Sequence, residues 1–404
     1  MFLDIFSEMQ RAQRWTSASE AIVIRNALEQ AKIADDLGYN CWWSVEHHGA
    51  GEFSLSSTPE MFNVALAMST NRLRIGHSGV LTPFQINHPI RVAERAAFVD
   101  VLSDGRLEMG LARSSVCEWD TFGVPKEDTQ PQFDELTRML PKMWSDESFS
   151  WESNVISVPS VSIVPKPVQK FPRIWCMGMS EEGARTAGRL GVGFIGTTVM
   201  EPVAKTLKLM KVFAEGGQRR EEEVAAPNDG FGLFTFVHCA ASRQAAIDSR
   251  AAEAAMWYVN AAPGVLKFPR DRLLAAIRSE AIPGGQSWRQ ASVEGEADPA
   301  CDPNDPHPVI RQLNRQYLGM AIDPEEAYEA ITHVDSVIIG DAEACYDKIL
   351  KFKEAGVERL LCLQQFGQLS HEQVCSSIRR VGEEILPYIT TAEASPQRYP
   401  NRGL

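Results

Sequence analysis

Short apolar runs alternate with amphipathic stretches along almost the whole chain. The runs predict strands at Phe2–Phe6, Cys41–Val45, Leu73–Val80, Leu107–Leu111, Ile174–Met177, Val192–Ile195, Phe231–Cys239, Val337–Ile339 and Arg359–Leu363. Between them the spacing turns helical. Ser17-Ala18-Ser19-Glu20 has the form of a capping box, Ile22, Ala27, Ala31, Ala34 and Leu37 follow at helical intervals, and Gly38 is a stop signal. Further helices are predicted over Thr58–Ser69 (Pro59 first), Pro89–Leu102, Gln132–Trp144, Glu181–Leu190, Pro202–Ala214, Arg243–Tyr258, Ala342–Glu354 and Glu372–Leu386. Repeated strand–helix alternation implies parallel strands covered by helices, an α/β fold. About eight such units fit, and no Gly-rich dinucleotide fingerprint follows the first strand. Both points favour a TIM-like (β/α)8 barrel with enlarged loops over an open doubly wound sheet.

Three stretches break the rhythm. Pro125–Gln132 and Trp151–Pro172 enlarge the loops beside the Gln132–Trp144 helix, and the second is expected to hold a small β excursion. Ile282–Asp305 is rich in Gly, Pro, Asp and Ser, the composition of a lid or a disordered segment. The expected organisation is one barrel domain over residues 1–390 with an insertion at about 280–310, followed by a tail at 391–404.

Charge and composition narrow the partners. The 404 residues carry a net charge of −13, so no positive field exists to neutralise phosphates, and nucleic acid is excluded as the main partner. No apolar run reaches the ~20 residues of a spanning helix, and the N-terminus has neither a basic region nor a small-residue cleavage site. The eight scattered cysteines read as reduced thiols of a cytoplasmic protein.

In a parallel barrel, chemistry sits at the carboxyl ends of the strands. Four points qualify: Glu46-His47-His48, His77-Ser78-Gly79, Ala112-Arg113-Ser114 and Gly178-Met179-Ser180-Glu181-Glu182-Gly183. A His at the mouth suits proton transfer near neutral pH, and a hydrogen-bonded structural His fits the same pattern. The 178–183 segment suits either an anion held on free backbone N–H groups or a plain N-cap by Ser180. Arg113 tips that balance toward an anion, since a guanidinium fixes a phosphate; its alternative is a surface ion pair. The histidines show no metal-ligand spacing, so no metal is expected. Trp42, Trp43, Trp119, Trp175 and Trp257 are candidates for core packing or for an aromatic pocket. Cys117 reads as an ordinary thiol.

Taken together these segments resemble the bacterial luciferase-like flavin monooxygenases, from Phe2 to about Tyr388. Cys41-Trp42-Trp43-Ser44-Val45-Glu46-His47-His48 is similar to that family's second strand and its Glu-His-His end. Arg74–Pro83 with His88-Pro89-Ile90-Arg91, Leu102–Leu107 with Gly110-Leu111-Ala112-Arg113, Pro165-Lys166-Pro167 with Ile174-Trp175 and Gly178-Met179-Ser180, Met256–Asn260, and Ser377–Pro387 follow in the family's order. The resemblance implies reduced FMN supplied by a separate flavin reductase. Oxygen would add at C4a, and the peroxyflavin would insert one oxygen atom into a small, apolar organic substrate. By the same resemblance His47 is the acid/base beside the flavin, with Glu46 next to it. Ser78-Gly79 form the bulge under the ring, where some members hold a non-proline cis peptide. Arg113, Gly178, Met179 and Ser180 hold the phosphate, the 282–305 loop is the lid, and a homodimer is implied. Ala112 stands where the luciferases proper have Cys, which weakens any expectation of light emission. Two alternatives share this scaffold: a deazaflavin-dependent oxidoreductase transferring hydride, and a non-catalytic flavin-binding protein.

Overall fold

Eight parallel strands close a ring in a computed structural model that describes residues 1–11, 15–16, 18–198, 200–222, 224, 226–278 and 301–390. The strands, in chain order, are β1 (Phe2–Ser7), β2 (Cys41–Ser44), β3 (Arg74–Leu81), β4 (Leu107–Ala112), β5 (Phe149–Glu152), β6 (Ser157–Val161), β7 (Arg173–Met177), β8 (Gly193–Thr197), β9 (Phe231–Cys239), β10 (Ile338–Gly340) and β11 (Arg359–Leu363). Pairing runs β1-β2-β3-β4-β7-β8-β9-β11 and returns to β1, so the ring is closed and the expected barrel is present. The ring strands are buried on both faces, which is why the sequence shows continuous apolar runs rather than alternation.

The interior is filled by large rings that neighbouring glycines admit. A Cβ on Gly76 would lie 2.3 Å from the Trp43 ring, and one on Gly193 would lie 2.4 Å from Trp175. Trp43 and Trp175 meet edge to face at 6.1 Å, and Trp42 is fully buried outside that layer, so these three tryptophans are core.

Several elements differ from the expectation. Val337–Ile339 gives β10, which pairs only with the carboxyl end of β9 and stays outside the ring. The Trp151–Pro172 excursion is an antiparallel hairpin, β5–β6, that begins earlier, at Phe149. The single helix expected over Arg243–Tyr258 is two, Arg243–Asp248 and Ala251–Leu266. Ser249 donates its hydroxyl to Ala246 O and accepts from Ala251 N, competing with the helical pattern, and Arg250 takes φ +59°. The last helix is regular only over His371–Arg380. A wider turn then covers Val381–Ile385, because Pro387 has no N–H to offer back. Ile22 is exposed, so the first helix (Ser19–Leu37) buries Ala27, Ala31 and Ala34 instead. Its expected capping box includes Ser17, outside the described residues, and Ala18 occupies the cap position. The 282–305 segment, except its last five residues, and the 391–404 tail also lie outside the described residues. No described helix is long and apolar enough to cross a membrane.

Candidate active site

Every strand-end segment singled out above opens on one cavity of about 540 Å³ at the carboxyl mouth of the barrel. Glu46, His47, Ser78, Gly79, Arg113, Gly178, Met179 and Ser180 all line it. A parallel barrel aims the residues just after each strand at one mouth, so local strand position was enough to gather them.

His47 stands between two carboxylates. Its Nδ1 is 2.9 Å from Glu118 Oε1, and its Nε2 is 3.8 Å from Glu8 Oε2. Glu118 is held by the local fold: Ser114 φ is +70°, and the chain then enters the helix Val116–Phe122 through a capping box between Ser115 and Glu118. Glu118 Oε2 accepts from the Ser115 N–H at 3.1 Å, from Ser114 Oγ at 3.2 Å and from the Ser115 hydroxyl. Burial would raise this carboxyl, but hydrogen bonds from His47 and Ser115 hold it at about 2. Glu118 is therefore an anion at neutral pH, and His47 presents Nδ1–H to it. Glu8 is fixed from behind, since Ser54 donates to its backbone oxygen and paired bonds between Gln10 and Gln365 anchor the following turn.

Glu46 lines the cavity with its residue but turns its carboxylate elsewhere. It accepts from Leu81 N (3.0 Å), Asn87 Nδ2 (2.8 Å) and His48 Nε2 (3.2 Å), and lies 3.4 Å from His77 Nε2. Desolvation opposes ionisation, but these donors hold its carboxyl well below the usual carboxylate range. Its role in the fold is to tie the end of β2 to the end of β3.

That end of β3 carries the bulge. The register with β4 shifts between His77 and Val80, and the Ser78–Gly79 peptide is cis. A Cβ on Gly79 would meet Met177 and the Gly110 backbone below 3 Å, and one on Gly110 would lie 2.2 Å from His77 O. The Ser78 hydroxyl is buried without a hydrogen-bond partner.

A cation, Arg113, also lines the cavity. Arg113 donates to Thr129 Oγ1 (2.9 Å) and Gln130 Oε1 (2.8 Å), and its backbone oxygen accepts from Trp119 Nε1. Among the described residues it makes no ion pair, and burial pulls its pKa down. Lys126 lines the same cavity. Ser180 caps the helix Glu181–Leu190, accepting from Gly183 N at 3.0 Å, so the plain N-cap is real, and it sits on the same cavity wall. Glu181 in that first turn is occupied by Lys208 at 2.6 Å. Much of the remaining cavity wall is apolar, including Phe6, Phe53, Phe234, Val259, Leu266 and Phe268.

Trp119 reaches the cavity, as one reading of the tryptophans allowed, but Trp257 does not; its neighbour Tyr258 does. Glu8, Glu118 and Tyr258 were missed in the sequence. The strand-end rule applied to β1 points to Glu8, and Ser115-x-x-Glu118 is a visible capping box. Tyr258 carries no such signal, because the break at Arg250 that aims its helix is invisible in the apolar pattern. Cys117 is buried and its thiol is pushed up by burial, as an unreactive cysteine's would be.

A family model described as luciferase-like monooxygenase matches residues 3–359, and the chain belongs to that family. Its curated relatives include the oxygenase component of a flavin-dependent trigonelline monooxygenase from Acinetobacter baylyi, 29% identical over 180 residues, which are 43% of this chain and 48% of that one. The chain spans about half to two thirds of the length of the curated relatives it matches. Among solved structures, the oxygenating constituent of 3,6-diketocamphane monooxygenase from Pseudomonas putida, in complex with FMN, shares the fold at TM-score 0.70 and 17% identity over 96% of this chain and 99% of that one. An F420-dependent secondary alcohol dehydrogenase shares it at TM-score 0.64 and 16% identity, over the same shares.

Proposed function

We propose that the protein is the oxygenase of a two-component system, taking reduced FMN from a separate reductase and using O2 to oxygenate a small apolar organic substrate. The observation that carries this is one cavity lined by two unlike groups: a guanidinium without a carboxylate partner among the described residues, and an imidazole held by a fixed anion. The residues fit the cofactor. Arg113, Lys126 and the start of the helix Glu181–Leu190 suit a phosphate, and Gly79 and the Ser78 hydroxyl, which has no hydrogen-bond partner among the described residues, line the same wall. The cavity's size falls in the range of small-molecule and cofactor sites.

Bound there, reduced FMN supplies the electrons that activate dioxygen, one oxygen atom going to the substrate and the other to water. This chain's residues do the rest. Arg113 and Ser180 anchor the tail. Glu118 fixes the tautomer of His47, leaving Nε2 toward the cavity to give or take a proton. Phe53, Val259, Leu266 and Phe268 exclude water and favour an apolar acceptor. The named role of the A. baylyi relative as an oxygenase component supports the reductase partner. The eight unpaired cysteines support a reducing, cytoplasmic setting. Met61, Met68 and Phe98, exposed on the neighbouring helices Pro59–Ser69 and Pro89–Leu102, support a homodimer through that face, which sedimentation analysis checks.

The test is anaerobic titration with reduced FMN, reduced riboflavin and a reduced deazaflavin, followed by oxygen. Preference for FMN over riboflavin and oxygen-dependent product support the reading. Preference for the deazaflavin, with hydride transfer and no oxygen requirement, moves the protein to the dehydrogenase branch that shares the fold.

A further inference from the structure

Glu8 is the one acidic side chain of the cavity that the reading above leaves idle. Its side chain is 3% exposed, its Oε1 accepts from the Tyr258 hydroxyl at 3.2 Å, and among the described residues its Oε2 makes no hydrogen bond. That second oxygen lies 3.8 Å from His47 Nε2, on the far side of the ring from Glu118. The two flanking carboxyls differ in kind. Glu118 accepts four hydrogen bonds and is a fixed anion. Glu8 has one donor besides the imidazole, and burial pushes its pKa up against the pull of His47 and Tyr258. A buried acid with an open oxygen, facing an imidazole nitrogen whose partner nitrogen is already committed, is the geometry of two sites competing for one proton.

We propose that Glu8 and Nε2 of His47 share a single proton, so that the pair, rather than His47 alone, is the proton store of this cavity. The pair itself stands on geometry; what its proton is used for rests on the function proposed above. When the proton leaves for an oxygen in the cavity, an O–H bond forms there, a neutral imidazole and a Glu8 carboxylate remain, and one proton from solvent restores the pair. Glu118 stays ionised throughout. The other charged or titratable groups on the cavity wall are Tyr258 from the helix Ala251–Leu266, Arg113, Lys126 and Cys176, while Glu46 is engaged by His48, His77, Leu81 and Asn87. Glu8 is in this sense a positioning residue, acting through His47.

The experiment is NMR titration of 15N-histidine-labelled full-length protein, with the His47 signal identified by its loss in His47→Gln. A carboxylate beside Nε2 strengthens proton binding, so the His47 midpoint should fall by at least one pH unit, a tenfold change, in Glu8→Gln. Glu8→Asp should restore part of it. Should Glu8→Gln fail to fold, Glu8→Ala carries the same readout. A midpoint in the folded Gln or Ala variant equal to that of wild type overturns the proposal. Reduced FMN affinity of wild type is measured alongside. If wild type binds no reduced FMN, the functional reading fails while the titration still decides the pair.

Discussion

Two clusters of buried charge lie in this barrel, one toward the strand starts and one at the mouth, and they are built differently. Toward the starts, Arg359 lies between Asp4 (3.1 Å) and Glu108 (3.7 Å), Arg74 reaches Glu108 at 2.6 Å, and the indoles of Trp43 and Trp175 donate to the two carboxylates. Two cations meet two anions, the guanidinium of Arg359 stacks near both tryptophan rings, and only Arg359 Nε lacks a partner. At the mouth the sum does not close. Glu8 and Ser78 keep open oxygens, and Arg113 has neutral partners. A structural cluster satisfies its members internally, whereas a binding site keeps donors and charges in reserve for something else.

The sharpest way to break this contrast is at His47. His47→Ala should lower turnover by about 10²–10⁴-fold while reduced FMN still binds, a split that single-turnover kinetics and a binding titration measure together. Unchanged product yield would remove the acid/base role. On the structural side, Arg359→Met leaves buried Asp4 without a cation and Glu108 with Arg74 alone, and should cost about 3–5 kcal/mol in denaturant unfolding. If stability holds, the lower cluster is not the closed unit described here. Arg113→Ala should weaken reduced FMN by about 1.5–3 kcal/mol in equilibrium binding, with little effect on riboflavin. Equal losses for both ligands would detach Arg113 from the phosphate.

The smallest effect is in the acid limb of stability. Glu118 and Glu108 are each held at about 2 against an ordinary 4.5. Their folded pKa is depressed, so the stability they add is complete above about pH 4.5 and is lost as pH falls toward 2. Glu118→Gln should flatten the pH dependence of the unfolding midpoint in that window. Asp4 and Glu8, raised by burial, act with the opposite sign and remain in the variant.

The legible part of this protein is what a parallel barrel makes local. Strand runs, their number and the polar residues that end them are all short-range features, so Glu46, His47, Arg113 and Ser180 stand out before any fold is known. Side-chain direction is not short-range. The sequence places Glu46 beside His47, but only the fold shows its carboxylate turned to Leu81 and Asn87. Partners brought in from elsewhere were also hidden. Tyr258 approaches Glu8 across 250 positions, and its helix is aimed by a serine that interrupts an otherwise even apolar pattern. β10 fooled the strand count because an apolar run reports burial, not membership of the ring.

Glu118 both starts a seven-residue helix and grips the imidazole. Those two duties cannot be uncoupled: if that short turn frays, Nδ1 loses its anchor although the barrel is intact. Such small segments open at lower free energy than a closed sheet. Heating should therefore silence the chemistry before the scaffold melts, a thermal fuse set by the serine–glutamate clasp rather than by the core.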